Sequence, residues 1–127
     1  MNEKNPPNDF TGLWIYKCPT GMVYEREFVH GVEHGAYRHK LSSGVALREG
    51  IKLDGLDHGN VTLRDSEGNE LTNYRFSYGT GTHRIYTSSG SLGWEISYKG
   101  GLQQGTKRHY INGKVESVQE YLNGQKI

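Results

Sequence analysis

The chain lacks the usual signals for disulfide bonding, membrane insertion and secretion. Its one cysteine, Cys18, cannot form an internal disulfide. No stretch approaches the roughly 18 consecutive apolar residues that a membrane-spanning helix needs. Residues 1–9, MNEKNPPND, have no apolar centre of the kind found in signal peptides. These absences predict a cytoplasmic protein.

Aliphatic side chains are also scarce. Leu, Ile, Val and Phe together supply 26 of 127 residues, whereas glycine alone supplies 18. Glycine is therefore about twice as frequent as its usual share of roughly 7%. Nine tyrosines and two tryptophans partly replace the missing aliphatic bulk. With a formal net charge of +1, this composition predicts one small domain with a modest core.

The glycines recur at a regular spacing along the chain. One glycine marks each period, and these marks are Gly12, Gly35, Gly59, Gly81 and Gly105, separated by 23, 24, 22 and 24 residues. Self-similarity at a fixed period is the signature of a repeat architecture. We therefore predict a repeat domain over residues 10–127, built from about five units of 23 residues, and a flexible N-terminal lead at residues 1–9.

Turn-forming residues surround the glycines. The segments PTG, SSG, SEG and NG have turn chemistry, and between the turns lie short stretches rich in β-branched and aromatic residues, such as VTLR and RHYI. Glycine reaches the positive φ values of tight hairpins without strain. Each unit is thus predicted to be a β-hairpin. Because one hairpin is marginally stable alone, the units should join into a single elongated, twisted antiparallel meander sheet, giving an all-β fold.

The sequence YKGGLQQGTKRHYINGKVESVQEYLNGQK resembles the membrane-occupation-and-recognition-nexus (MORN) repeat in its bacterial variant form. The matching positions are Tyr98, Gly101, Gly105, Tyr110, Gly113, Tyr121 and Gly124. The fourth unit departs from the pattern, because Ser77 stands where the first glycine is expected. The resemblance implies a hairpin scaffold. Some bacterial chains similar to this one are labelled antitoxin or immunity proteins, and other such repeat proteins are assembly platforms or lipid-associated modules.

Equivalent repeat positions should form columns on the two faces of the sheet, because alternate strand residues point to opposite sides. On one face, two residues after each mark, lie Trp14, Tyr37, Val61, His83 and Lys107. On the same face, four residues after each mark, lie Tyr16, His39, Leu63, Ile85 and His109. The opposite face carries Ile15, Arg38, Thr62, Arg84 and Arg108, then Lys17, Lys40, Arg64, Tyr86 and Tyr110. One face is thus largely aromatic and aliphatic, and the other is a basic stripe with tyrosines.

Two interpretations of the basic stripe remain open. Basic columns beside aromatic rings suit an anionic partner, which would be a nucleic acid, a phospholipid or an acidic protein surface. Alternatively, the glutamates of the returning strands neutralise these side chains as cross-strand pairs; these are Glu25, Glu49, Glu95 and Glu116. Most of the aromatic residues should cover one another in the sheet, and the remaining surface mixes aromatic rings with Arg and His, as protein interfaces do. The candidate binding residues are Trp14, Tyr16, Tyr37, Arg38, His39, Arg84, Tyr86, Trp94, Arg108 and Tyr110.

No residue pattern points to catalysis, a cofactor or a metal. The segment HGVEH at His30–His34 matches one zinc-protease motif, but that chemistry needs a helix and the glycines predict a turn here. Asp54 and Asp57 are interpreted as solvated loop carboxylates. We therefore expect no enzyme activity, no cofactor and no metal site.

The sequence thus predicts a protein-binding repeat module, and the resemblance makes a toxin-neutralising immunity protein with a cognate toxin as partner its most concrete form. The alternative is a structural or membrane-surface scaffold that binds anionic lipid or nucleic acid. The last predicted strand, NGQKI, carries Lys126 as its only charge. Because charged side chains normally guard sheet edges, this edge could also support self-association.

Overall fold

The computed structural model describes residues 3–87 and 89–127, and this part of the chain is all-β. In chain order the strands are β1 Gly12–Lys17, β2 Val23–Val29, β3 Val32–Lys40, β4 Ala46–Leu53, β5 Leu56–Asp57, β6 Gly59–Arg64, β7 Glu70–Phe76, β8 Gly81–Tyr86, β9 Leu92–Lys99, β10 Leu102–Ile111, β11 Lys114–Leu122 and β12 Gln125–Lys126. Strands that are neighbours in sequence mostly pair antiparallel. The predicted all-β fold of antiparallel hairpins is confirmed.

One kind of hairpin turn uses the short polar segments that precede a glycine. In the first, the Cys18 N–H donates to the Met22 carbonyl at 2.8 Å and the Gly21 N–H donates to the Cys18 carbonyl at 2.9 Å. The φ of Gly21 is +95°, which favours glycine. Equivalent hydrogen bonds close the turns at Leu41–Val45, Asp65–Asn69 and Thr87–Ser91. Ser88, in the last of these turns, lies outside the described residues.

The other kind of turn has two residues, both with positive φ. At His30–Gly31 the φ angles are 47° and 80°, as in the type I′ turns that suit twisted hairpins. The same signs recur at Asp54–Gly55, Tyr78–Gly79, Gly100–Gly101, Asn112–Gly113 and Asn123–Gly124. The segment His30–His34 is therefore a turn followed by the start of β3, as predicted, and not a helix.

The strands form two sheets, so the prediction of a single sheet is wrong. The first has the order β1-β2-β3-β4-β6-β7 with β5 paired to β4, and the second has the order β12-β11-β10-β9-β8. Between β7 and β8 the backbone contributes only the isolated bridge of Ser77 with Thr80. The turn glycine Gly79 lies two residues before Gly81, whereas Gly31 lies four residues before Gly35. This connection is thus two residues shorter than the equivalent one after Gly31.

Aromatic side chains occupy the junction where the ladder is missing. The ring centroids of Phe76 and His83 are 4.3 Å apart, and those of Phe76 and Tyr98 are 6.5 Å apart. Phe76 and Val61 are the largest fully buried side chains, and Tyr74 and Leu63 complete the cluster. Side-chain packing thus joins the two sheets, and the centre of the core lies there.

Hydrogen bonds between successive turns cross the sheet boundary. Five of the turn glycines donate their N–H to a carbonyl 21 or 22 residues earlier. The pairs are Gly31 with Phe10, Gly55 with Glu33, Gly79 with Asp57, Gly101 with Gly79, and Gly124 with Gln103. Their donor–acceptor distances run from 2.7 to 3.1 Å. The turn edge of the molecule is therefore continuous even though the sheet is not.

The side chain just before four of the five marks supports the next turn. The Nδ1 atom of His34 accepts from the Asp54 N–H at 3.2 Å, and that of His58 accepts from the Tyr78 N–H at 3.1 Å. The hydroxyl oxygens of Thr11 and Thr80 accept hydrogen bonds from the N–H groups of His30 and Gly100 in the same way. His34 and His58 thus hold the backbone of the turns that follow them.

The N-terminal segment lies against the first hairpin. The indole Nε1–H of Trp14 donates to the Glu3 carbonyl at 2.9 Å, and Arg26 donates to the Lys4 carbonyl. Phe10 packs edge-on against Trp14, with ring centroids 5.3 Å apart. Residues 1 and 2 of the predicted lead lie outside the described residues, and the flexibility of residues 1–9 stays a prediction.

Candidate binding groove

Three adjoining cavities lie on the face that carries Tyr37 and His83, and we call them together the groove. The apolar cavity, of about 380 Å³, is lined mainly by Met22, Leu41, Leu47, Leu63, Leu71 and Ile85. The polar cavity, of about 420 Å³, is lined mainly by Arg26, Glu33, Arg48, Lys52, Asp57 and His83. These two share the side chains of Tyr24, His39 and Arg48. A third cavity, of about 290 Å³, continues from Asp57 and His83 to the turn glycines.

Asp57 is the centre of the polar cavity. Its carboxylate accepts hydrogen bonds from the Tyr37 hydroxyl at 2.9 Å, the Lys52 Nζ at 3.2 Å and the His83 Nε2 at 3.1 Å. Only 12% of its side chain is exposed. The interpretation of Asp57 as a solvated loop carboxylate is therefore wrong, because the twist of the sheets brings β3, β4 and β8 around it. Asp54, by contrast, is 92% exposed, as predicted.

The pKa of Asp57 is lowered and the pKa of Tyr37 is raised, which favours the hydrogen bond between them. Burial alone would raise the pKa of Asp57, but the hydrogen bond from His83 and the charge of Lys52 outweigh it and lower the pKa to about 2. Burial, reinforced by the charge of Asp57, raises the pKa of the Tyr37 hydroxyl. Asp57 is thus ionised and Tyr37 is protonated at neutral pH.

The hydrogen bonds of His83 define its tautomer. Arg48 Nη1 lies 3.2 Å from the His83 Nδ1, and the Tyr74 hydroxyl lies 2.9 Å from the same atom. A guanidinium has no acceptor, so Nδ1 accepts and Nε2 carries the proton that it donates to Asp57. Both nitrogens of His83 are therefore engaged within the protein.

His39 is an uncharged neighbour of Arg48 at neutral pH. Burial, followed by the positive charges of Arg48 and Lys52, lowers its pKa to about 4. Its ring packs against those of Tyr24 and Tyr37, with centroids 4.6 and 5.6 Å away. His39 thus contributes a polar but neutral wall where the apolar and polar cavities meet.

The groove contains more positive than negative charge. Arg26 pairs with Glu33 at 3.2 Å and Lys52 pairs with Asp57 at 3.2 Å. Among the described residues Arg48 has no carboxylate within ion-pair distance, and its hydrogen bond is to the Nδ1 atom of His83. Arg48 therefore contributes a positive charge without a matching negative charge at the meeting point of the two larger cavities.

The structure separates the predicted aromatic binding residues into buried and accessible groups. Trp14 and Tyr37 are 5% and 4% exposed, so they support the fold and the walls of the groove and offer little surface to a partner. His39 and Tyr86 line the groove. Tyr16 stacks on Tyr24, with centroids 6.1 Å apart.

Trp94 belongs to a different part of the molecule. It stacks on His109 with ring centroids 4.1 Å apart, and the Lys107 Nζ lies 4.7 Å from the centroid of the Trp94 ring. These residues lie on β9 and β10 and line none of the three cavities. The structure therefore does not bring Trp94 together with His39 and Tyr86.

Glutamates oppose much of the predicted basic stripe. Arg38 pairs with Glu49 at 3.3 Å, and Arg84 pairs with Glu95 at 3.5 Å. The Tyr110 hydroxyl donates to Glu95 as well. Further cross-strand pairs join Lys40 to Glu25 and Arg64 to Glu49. The interpretation of the stripe as cross-strand pairs is thus confirmed for these residues, while Arg108 is exposed.

Sequence reasoning missed Tyr24, Arg48, Lys52 and Asp57 as members of the groove. They lie on β2, β4 and β5, the returning or short strands, whereas the columns were built from the residues that follow each mark. Side chains of the returning strands also alternate between the two faces of the sheet, and this alternation could have found them. It puts Arg48, Gly50 and Lys52 on the face of Tyr37.

Searches for other kinds of site and for related proteins added no further assignment. Within the described part of the chain, no three His, Cys, Asp or Glu side chains lie close enough to hold a metal ion. The residues that the structure describes include no helix long and apolar enough to cross a membrane. Comparisons of the chain with protein-family models, with curated proteins and with solved structures found no match.

Proposed function

We propose that this chain is a non-enzymatic protein-binding module of the cytoplasm and that the groove holds a segment of its partner. The observation that supports the proposal is the meeting of an apolar and a polar cavity at Arg48, whose charge has no carboxylate partner in the described structure. Pockets that combine apolar walls with a few fixed polar groups are typical of binding sites. The titratable groups around Asp57 satisfy one another by hydrogen bonds, which suits a structural role.

In its concrete form the proposal is an antitoxin or immunity protein whose partner is a cognate toxin. Such a protein needs a surface and high affinity, and it needs no chemistry of its own. The support for this form is the resemblance to bacterial MORN-type repeats. We propose accordingly that the hairpins are five such repeats of about 23 residues, and the hydrogen bonds from five turn glycines to carbonyls 21 or 22 residues earlier favour this.

A matched pair of substitutions tests the groove. Ile85 is 41% exposed and lines the apolar cavity, whereas Ile15 is 39% exposed on the opposite face. Ile85→Glu places a charge in the groove, and Ile15→Glu places the same charge on the other face. Tagged wild-type chain and Ile15→Glu should capture the same partner from the native cell extract, and Ile85→Glu should lose it. Retention of the partner by Ile85→Glu would show that another surface binds it.

The immunity role requires a second measurement on the captured partner. Produced alone in a host cell, the partner should arrest growth, and production of the wild-type chain with it should restore growth. Ile85→Glu should fail to restore growth. A captured partner that is harmless alone would refute the immunity role while leaving the binding module in place.

The alternative is a scaffold that binds anionic lipid or nucleic acid through Arg38, Arg84 and Arg108. Two of these arginines already pair with glutamates, which weakens this alternative. Binding of this kind would weaken steeply with added salt and would be lost in Arg84→Ala with Arg108→Ala. A vesicle and oligonucleotide binding assay at two salt concentrations distinguishes the two functions.

A further inference from the structure

We infer that the segment held in the groove carries an acidic side chain beside an apolar one, with the carboxylate on Arg48 and the apolar side chain in the cavity lined by Leu47, Leu63 and Ile85. This inference rests on the proposed function, because it assigns the chemistry of the partner segment. It makes Arg48 the residue that selects the partner by charge.

Arg48 is placed to receive a carboxylate. One of its guanidinium nitrogens bonds the His83 Nδ1 at 3.2 Å, and the group borders both larger cavities. A guanidinium has five N–H donors in a planar fork that matches the two oxygens of a carboxylate. The hydroxyls of Tyr37 and Tyr74 also lie near the guanidinium, and the fork has further donors for a group that enters from the groove.

The surroundings of Arg48 favour one negative charge. Three other basic side chains that line the two larger cavities, Arg26, Lys52 and Arg64, already pair with Glu33, Asp57 and Glu49. His83 uses both nitrogens inside the protein, and His39 is uncharged at neutral pH. The rest of this lining adds one charge of each sign, on Lys4 and Asp65. A single carboxylate would therefore balance Arg48, whereas a basic side chain would meet Arg48 with a like charge.

The neighbouring cavity defines the second part of the ligand. Its walls carry four leucines, a methionine and Ile85, and it shares Tyr24, His39 and Arg48 with the polar cavity. Its volume of about 380 Å³ is within the range of binding pockets and admits bulky apolar side chains. Since Arg48 borders this cavity directly, the acidic and apolar side chains should be close together in the partner segment.

Selection of displayed random peptides on the immobilised full chain tests the inference. Wild-type chain should enrich peptides with Asp or Glu within about three residues of a large apolar residue. Arg48→Met should lose the acidic preference, and Arg108→Met, which changes an exposed arginine outside the groove, should keep it. Ile85→Glu should lose both preferences, and Ile15→Glu should keep both.

Titration of the best enriched peptide measures how much Arg48 contributes to its binding affinity. Binding to Arg48→Met should be about tenfold to a hundredfold weaker than to wild type, as expected for loss of a charge-assisted hydrogen-bonded pair. Replacing the acidic residue of the peptide by its amide should weaken wild-type binding similarly and should not further weaken binding to Arg48→Met. Thermal unfolding of each variant confirms that it is folded.

The outcomes separate the inference from the proposed function. Peptides that depend on Ile85 but show no acidic preference would overturn the inference and leave the groove as a binding site. Peptides that are enriched equally on wild type, Arg48→Met and Ile85→Glu would overturn both the inference and the proposal that the groove is the binding site. The absence of any enriched peptide would count against both as well.

Discussion

At the scale of single residues, Asp57 is a side chain on which hydrogen bonds from three other strands converge. One carboxylate on β5 joins Tyr37 on β3, Lys52 on β4 and His83 on β8, and so links the two sheets. An ionised group with so little exposure is stable only because its partners are held around it. Removal of the charge should therefore destabilise the junction between the two sheets.

Asp57→Asn should lower the free energy of unfolding by about 3 kcal/mol, because Lys52 and His83 lose the charge that they both bond. Urea unfolding followed by tryptophan fluorescence measures the change. Asp54→Asn is the matched control, since Asp54 is highly exposed in a turn that tolerates asparagine, and it should change stability by less than about 0.5 kcal/mol. Equal effects of the two substitutions would contradict the central role of Asp57.

The lowered pKa of His39 predicts a pH dependence of stability. In the unfolded chain His39 binds a proton near its ordinary pKa of 6.5, whereas in the folded protein its pKa is about 4. The unfolded state therefore binds more protons between these values, and stability should fall as pH is lowered from about 6.5 to 4. His39→Phe keeps an aromatic ring and should lose less stability over this range. Identical pH profiles of urea midpoints would refute the assignment.

At the scale of elements, the hairpin turns show how closely local sequence specifies local structure. A two-residue turn with two positive φ angles needs residues that tolerate this geometry, and glycine is the second residue of each one described above. The glycine spacing thus predicted the hairpins directly. It could not predict that the ladder stops between β7 and β8, because the packing of Phe76 against His83 and Tyr98 depends on side chains from three strands.

Gly79 should be the least replaceable of the turn glycines. Its φ is +79°, and a Cβ there would lie 2.6 Å from the Gly101 nitrogen, which donates to the Gly79 carbonyl. Gly113 has a similar φ of +77° but nothing within 4 Å of an added Cβ. Gly113→Ala should cost about 1–2 kcal/mol of unfolding free energy for backbone strain alone.

Gly79→Ala should cost more than Gly113→Ala, by at least about 1 kcal/mol, because the backbone of the neighbouring turn must also move. Thermal or urea unfolding of the two variants gives the comparison. If both alanines cost the same, the contact between successive turns is not needed for stability.

At the scale of the whole molecule, the two ends of the strand array differ. Residues 3–10 pack against the first hairpin through Trp14 and Arg26. At the other end, β12 has two residues and pairs only with Tyr121 and Leu122 of β11. Large apolar side chains are exposed near this end; they are Leu102, Ile111, Val115, Val118, Leu122 and Ile127. Self-association through this edge stays a prediction.

Sedimentation at increasing concentration tests that prediction. The average mass of the wild-type chain should rise with concentration, because an open strand edge with apolar neighbours favours pairing with another strand. Leu122→Lys should suppress the rise, and Ile51→Lys, which charges an exposed isoleucine of β4, should not. A mass that stays monomeric at all concentrations would show that the edge does not pair with a second copy.

The sequence by itself determined the all-β class, the hairpins and their turns, because each depends on the backbone preference of a few adjacent residues. The tertiary structure alone decided that the sheet divides after Phe76, that Asp57 is enclosed, and that Arg48 stands between two cavities. These features join residues as far apart as Asp57 and His83, or Arg48 and His83, across the sheet junction. The physical reason is that hydrogen-bonded turns are local, whereas the twist and packing that bring distant strands together depend on all side chains at once.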